Sequence, residues 1–297
     1  MIWLVGANGM LGRELTEFLT RHEIPFLGTG REVDIADLSS LERFAAGWSF
    51  EWIVNGAAYT AVDQAEAEPA ACRAVNALGP QNLGALASRL GARVLHVSTD
   101  YVFDGEANRP YREDDPVNPL TVYGRTKAEG EQLLLDACPT SIILRTAWLY
   151  GLHGSNFVAT MLRLMKEKAS IGVVADQWGA PTWTADLAMV ILAILENPPL
   201  GGGLYHASGE GQTSWHGFAE AIAEQARLLG LLDPQKSLEI RPLSTAEYPT
   251  KAKRPRWSVL SKTKLQDELG LGFPPWQESL HNYLQILSKN SSEKGHH

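Results

Sequence analysis

The feature that most constrains this chain is the junction where the apolar run Ile2-Trp3-Leu4-Val5 passes into Gly6-Ala7-Asn8-Gly9-Met10-Leu11-Gly12 and then into a helical pattern over Gly12–His22. A strand, a glycine turn and an amphipathic helix in that order make a βα unit, with the turn at the carboxyl end of the strand. Gly6 permits the tight turn, Gly9 lets backbone approach a pyrophosphate, and Gly12 lets the helix pack closely on the strand. The helix start at Met10 and Leu11 adds free N–H groups and the positive end of a dipole, a ready anion site. The glycine spacing is weak evidence by itself; its place between strand and helix gives it weight.

The same alternation continues along the first half. Short apolar or β-branched runs at Pro25–Leu27, Trp52–Asn55, Arg93–Ser98 and Ser141–Arg145 alternate with helical stretches at Leu38–Ala46, Glu68–Leu90 and Tyr123–Asp136. That order predicts βαβ units, right-handed crossovers and a parallel sheet. Beyond Trp148 the pattern loosens into helices near Asn156–Lys168, Thr184–Glu196 and Trp215–Leu229, with a strand near Gly172–Val174. The expected fold is α/β: a Rossmann-type doubly wound parallel sheet with a smaller, interleaved C-terminal substrate lobe. Residues 1–150 would form the nucleotide-binding half, with last strands returning from about 184–207, and 151–290 the lobe. Stretches rich in Pro and Gly at Asn197–Gly203 and Pro242–Pro255 read as loops. Residues 291–297, ending Gly-His-His, read as a disordered tail or tag remnant.

Composition excludes several classes of function. A hydrophobic content of 44% over 297 residues suffices for a large core without staples. Lys+Arg of 26 against Asp+Glu of 34 gives a net charge of -8, so neither nucleic acid nor an anionic membrane is an expected partner. The longest apolar run, Leu187–Leu195, is less than half the roughly 20 residues that cross a bilayer. The N-terminal strand enters its glycines without the charged and apolar regions of a signal peptide. With only Cys72 and Cys138, neither a disulfide framework nor a metal-finger spacing is available, and a reducing cytoplasm fits best.

At the end of the second strand, NAD sites usually carry an acid for the ribose 2′-hydroxyl and NADP sites a basic residue for the 2′-phosphate. Here the chain reads Gly28-Thr29-Gly30-Arg31, with Asp34-Ile35 placed to border the adenine. Arg31 is the candidate phosphate partner, so NADPH is the expected cofactor and NADH the alternative.

Tyr123-Gly124-Arg125-Thr126-Lys127 sets a phenol and an amine four residues apart, on one face of a helix. Hydride reduction of a carbonyl leaves an alkoxide to be protonated. Tyr123 is the candidate donor, and a neighbouring ammonium would lower its pKa toward neutrality. Lys127 would also hold the nicotinamide ribose. Upstream, His96-Val97-Ser98-Thr99-Asp100-Tyr101-Val102-Phe103 leaves a strand at the sheet edge where open α/β folds bind ligands, and Thr99 offers a hydroxyl to the carbonyl oxygen. Lys251, Lys253, Arg254 and Arg256 form either a solvated surface or a clamp for substrate phosphates.

With these motifs in hand, the chain resembles the extended short-chain dehydrogenase/reductases, and within them the dTDP-4-dehydrorhamnose reductase family, over nearly its whole length. The likeness is carried by Gly6–Gly12, Asn55-Gly56-Ala57-Ala58-Tyr59-Thr60-Ala61-Val62-Asp63, Ser98–Phe103, Tyr123–Lys127 and Arg145-Thr146-Ala147-Trp148. It extends to Asp176-Gln177-Trp178-Gly179-Ala180-Pro181-Thr182 and Gly203-Leu204-Tyr205-His206. The resemblance implies that Ala57, Ala58 and Tyr59 line the cofactor, that Thr99 and Asp100 meet the sugar, that Trp148 packs against it, and that Asn156 belongs to the substrate lobe. It implies hydride transfer from NADPH to C4 of a nucleotide-activated 4-keto-6-deoxy sugar for polysaccharide biosynthesis, and a homodimer. Some members hold Mg²⁺ through glutamates, and Glu14 stands at one such position, although the acids near Thr184–Asp186 match poorly. Two rival readings stand beside it. One is a sugar-nucleotide epimerase that holds NAD, against which Arg31 argues; the other is a non-catalytic subunit resembling the regulatory subunit of methionine adenosyltransferase.

Overall fold

The computed structural model of the chain describes residues 1–196 and 200–294. It opens with β1 (Ile2–Val5), α1 (Met10–Arg21), β2 (Phe26–Thr29), α2 (Leu38–Ala45) and β3 (Trp52–Asn55). A short α3 (Val62–Ala65) follows, then α4 (Pro69–Arg73), a π-helical turn at Ala74–Leu78, and α5 (Gly79–Leu90). The single helix expected over Glu68–Leu90 is therefore interrupted, and Pro80 explains why. Proline has no N–H and its ring crowds the carbonyl a turn earlier, so the ladder widens, with the Gly79 N–H bonding Ala74 O. β4 (Arg93–Thr99), α6 (Val122–Ala137) and β5 (Ile142–Thr146) complete the first half.

The second half contributes β6 (Leu149–Tyr150), α7 (Phe157–Glu167), β7 (Ser170–Val174), β8 (Trp178–Gly179), β9 (Thr182–Trp183) and α8 (Thr184–Glu196). Then come β10 (Gly203–His206), β11 (Thr213–Ser214), α9 (Trp215–Leu228), β12 (Glu239–Leu243), α10 (Thr263–Leu269) and α11 (Trp276–Lys294). The Pro242–Pro255 loop thus begins inside a strand, β12, which pairs with β7. The tail expected from 291 is helical through Lys294, and 295–297 lie outside the described residues, as do 197–199 of the other expected loop.

Six strands run parallel in the order β10-β5-β4-β3-β1-β2. Every residue of β1, β3 and β5 is buried, as a sheet covered on both faces requires. One face packs Leu11, Leu15 and Leu19 of α1 with Leu187, Ile191 and Ile194 of α8. The other packs Leu41 of α2, Leu83 and Leu86 of α5, and Leu134 of α6. A separate core joins α7, α9 and α11 through Met161, Met165, Phe218, Ile222, Leu280 and Leu284. The strand order reverses at β1, flanked by β2 and β3, so a crevice opens at its carboxyl end, where such sheets take their ligands.

Helix α6 is fastened to the sheet by a buried ion pair. Arg145 on β5 reaches Glu131 on α6 at 2.7 Å, with a second contact at 3.0 Å, and the Ser98 hydroxyl donates to the same carboxylate. Close approach on the other side falls at Gly130, where any Cβ would sit 2.0 Å from Asn76 O of the π turn. Removing one partner of a buried pair strands the other charge in low dielectric. Glu131→Ala is therefore expected to destabilise the fold by about 3–5 kcal/mol, read from urea denaturation; a loss below about 1 kcal/mol, the range of exposed pairs, would show that α6 is held by packing alone.

Candidate active site

The glycine junction takes the conformation that its residues permit. Gly6 has φ of 81°, and both its N–H and that of Ala7 bond Thr29 O, at 2.8 and 2.9 Å. A Cβ on Gly12 would stand 2.1 Å from Gly6 O, so only glycine lets α1 begin there. Gly9 is the helix N-cap without a side-chain acceptor, which leaves the first-turn amides of Met10, Leu11 and Gly12 open to an anion. Ala57, Ala58 and Tyr59 follow β3 across the crevice, with the Ala57 N–H beside Gly6. The Tyr59 hydroxyl is turned to Glu68 at 2.7 Å, and its backbone N–H and C=O are both held by Asn76.

At the end of β2, Arg31 is exposed and makes no hydrogen bond or ion pair among the described residues, whereas Glu32 is folded back onto the Gly30 N–H. The nearest acid is thus turned inward while the arginine stays available. Asp34 closes its own turn through the Ala36 N–H, and Ile35 is buried with its carbonyl held by Asn82.

Thr99, Tyr123 and Lys127 converge at the carboxyl end of β4. Thr99 Oγ1 donates to Asp100 Oδ1 at 2.9 Å, accepts the Tyr101 N–H at 3.2 Å, and lies in hydrogen-bonding reach of the Tyr123 hydroxyl. The Tyr101 and Tyr123 rings meet edge to face with centroids 5.5 Å apart. Lys127, fully buried, donates to Val97 O at 2.7 Å and lies 3.0 Å from His96 Nε2.

These contacts correct one expectation. The phenol of Tyr123 is pushed up, away from neutrality, because burial outweighs the Thr99 hydrogen bond. Lys127 does not lower it: the amine is turned to Val97 and His96, and burial holds its own pKa down at about 8. Asp100 is pushed up to about 6, again chiefly by burial.

Of the residues expected to meet the substrate, Trp148 holds a left-handed backbone, with φ of 48°, uncommon outside glycine and frequent at functional sites. Its indole stacks on Trp215 at 3.5 Å and 7°, and Phe157 leans on Trp215 in turn. Asn156 is committed to the fold: it caps α7 through the Ala159 N–H and donates to Gly151 O. Arg254 is half-buried, paired with Asp63 at 3.0 Å and placed near Tyr101, whose pKa burial pushes up to about 12. Lys251, Lys253 and Arg256 are exposed. A cavity of about 540 Å³ opens where Asp63 and Gln64 face Tyr248 and Lys251.

Sequence reasoning missed Trp215, Asp63 as the partner of Arg254, and the buried pair Asn55 and His96 behind Lys127. The Mg²⁺ reading of Glu14 finds no support. Its carboxylate is buried, accepts the Thr184 hydroxyl at 2.9 Å, and has a pKa raised by burial. No group of three metal-ligating side chains occurs among the described residues. No described helix is long and apolar enough to cross a membrane.

A doubly wound parallel sheet, a glycine turn at its reversal point, and Thr, Tyr and Lys at the next strand end define an oxidoreductase of the short-chain dehydrogenase/reductase type. Over residues 1–289 the chain belongs to the RmlD substrate binding domain family. It is 45% identical to a dTDP-4-dehydrorhamnose reductase of Aggregatibacter actinomycetemcomitans, covering 94% of this chain and 96% of that protein. A crystal structure of a dTDP-4-dehydrorhamnose reductase from Clostridium acetobutylicum superposes with a TM-score of 0.90 at 40% identity, over 96% of this chain and 99% of that one. One from Bacillus anthracis, in complex with NADP, gives 0.89 at 36%, over 95% and 97%.

Lys127 carries a consequence for stability. Its folded pKa, about 8, lies below the ordinary 10.5. At low pH the fold therefore holds a buried charge that the unfolded chain solvates, and this penalty fades as pH rises from about 8 to 10.5. Lys127→Met should raise the urea midpoint at about pH 7, with the gain shrinking toward pH 10.5. Equal gains at both pH values would contradict a buried, depressed amine.

Proposed function

We propose that this chain reduces the C4 carbonyl of dTDP-4-dehydrorhamnose, a nucleotide-activated 4-keto-6-deoxy sugar, to dTDP-rhamnose with NADPH, as a step toward polysaccharide. The observation that carries the reading is the meeting of Thr99, Tyr123 and Lys127 at the reversal of a sheet that matches named reductases along nearly its whole length. NADPH, when bound, supplies the hydride. The open amides of Met10, Leu11 and Gly12 would hold its pyrophosphate, Arg31 its 2′-phosphate, and Ala57, Ala58 and Tyr59 its ribose and nicotinamide side. Thr99 orients the carbonyl oxygen, and Tyr123 donates to it.

The raised pKa of Tyr123 suits this direction of reaction. A reductase needs its phenol protonated when the alkoxide forms, and burial keeps it so across neutral pH. Trp148 forms a wall for the sugar, fixed from behind by Trp215. Arg254, held by Asp63 beside Tyr101, would present its remaining N–H groups to the diphosphate; its Nε is buried without a partner among the described residues. Asn156 acts by capping α7. Two buried free cysteines agree with a reducing cytoplasm.

The direct test follows NADPH oxidation with dTDP-4-dehydrorhamnose. Tyr123→Phe should lower kcat by roughly 10²–10⁴-fold with NADPH affinity near that of the wild type; full turnover in that variant would sink the assignment. Arg31→Ala should cut the preference for NADPH over NADH by roughly 10- to 150-fold, the worth of one charge-assisted contact. Equal effects on the two cofactors would remove Arg31 from the 2′-phosphate.

A further inference from the structure

Behind Lys127 runs a line of buried polar groups whose polarity can be read from its fixed end. The Ala57 N–H donates to Asn55 Oδ1 at 3.0 Å, and a backbone N–H can only donate. Asn55 therefore turns its amide nitrogen the other way, where Nδ2 lies 2.9 Å from His96 Nδ1. That nitrogen also only donates, so Nδ1 accepts and the neutral ring carries its proton on Nε2. Neutrality is enforced by burial, with Lys127 as the second cause, and the ring's pKa is held well below its ordinary value. Nε2–H then points at Lys127 Nζ, 3.0 Å away. An ammonium has no lone pair with which to accept; a neutral amine has one.

We propose that in the alkaline range His96, oriented by Asn55, is a positioning residue that holds Lys127 as a neutral amine in the free protein, and that NADPH binding reverses the chain and brings a proton onto Nζ. This rests on the NADPH reading above. With Lys127 as ammonium, Nε2 must accept, Nδ1 must carry the ring proton, and Asn55 must turn its oxygen to Nδ1, giving up the Ala57 N–H. That N–H borders the glycine loop, where a Cβ on Gly6 would lie 2.7 Å from it. An oxygen of a dinucleotide seated in the loop takes the N–H that Asn55 releases, so bound cofactor and ammonium go together. The net change is one solvent proton and one new N–H bond, with no electron transferred. The ammonium then stands ready to stabilise the phenolate left when Tyr123 has donated.

The other groups near Nζ leave this account intact. Cys72 on α4 is a thiol whose pKa burial raises, so it stays neutral. Glu131, one turn along α6, favours the ammonium, but its carboxylate is taken up by Arg145 and Ser98. Tyr123, one turn earlier, is a protonated phenol.

The test is calorimetry of NADPH binding in two buffers of different ionisation enthalpy at about pH 9, above the free-protein pKa of Lys127. Uptake approaching roughly one proton per NADPH is expected. His96→Gln places an amide oxygen that can accept from the amine, so the free protein already holds ammonium and the uptake should fall severalfold. The variant's pH profile for NADPH binding should flatten over the same range. Binding without buffer-dependent heat in the wild type would overturn the inference, as would undiminished uptake in the variant. If the variant does not fold, the ¹⁵N shift of the Lys127 amine in the free wild-type protein decides: an ammonium at about pH 9 overturns it. Absence of NADPH binding altogether would instead strike at the proposed function.

Discussion

A six-stranded parallel sheet whose strands β1, β3 and β5 are buried on both faces meets a polar ligand at its carboxyl edge. Everything chemical gathers there. The glycine turn follows β1, Arg31 follows β2, Ala57–Tyr59 follow β3, and Thr99 ends β4. The reversal of strand order at β1 sends the neighbouring connections to opposite faces and opens the crevice between them. Tyr123 and Lys127 join from α6, whose register is set by the buried Glu131–Arg145 pair and by the close approach at Gly130. The position of Tyr123 and Lys127 thus depends on an ion pair farther along the same helix.

Desolvation sets the protonation states of this site more than neighbouring charge does. The sequence reading of Tyr123 and Lys127 paired a phenol with a cation and so expected a lowered phenol. Burial acts on both groups at once, raising the phenol and depressing the amine. Above about pH 8 the pair therefore rests in its least charged form, which costs least in a dry crevice. It is also the form that has a proton on the donor before hydride arrives.

The parts that the sequence made legible are those carried by local pattern: the glycine turn, the βα alternation, and the four-residue spacing of Tyr123 and Lys127. Each of these is a statement about neighbours in the chain. What sequence left unread joins distant segments. Asp63 meets Arg254 and Trp148 meets Trp215, while His96 and Asn55 meet only because β3 and β4 pair in register. Their residue types are ordinary, and nothing in their local spacing marks them. The interruption at Ala74–Leu78 was readable in principle from Pro80, because a proline inside a helical run must disturb it.

Glu14 shows the opposite case, in which a position implied by resemblance is used by the fold for something else, and Asn156 too is bonded within the fold. An asparagine before an apolar helix is a strong N-cap by its own chemistry, and here Oδ1 makes the cap while Nδ2 donates to Gly151 O. A glutamate on the buried face of α1 has to be neutralised or bonded, and Thr184 bonds it. A polar side chain can serve as a ligand contact only if hydrogen-bonding capacity is left to it. Arg31, exposed and unpaired among the described residues, meets that condition; Arg254 meets it in part, with Nε unsatisfied while Nη2 is held by Asp63.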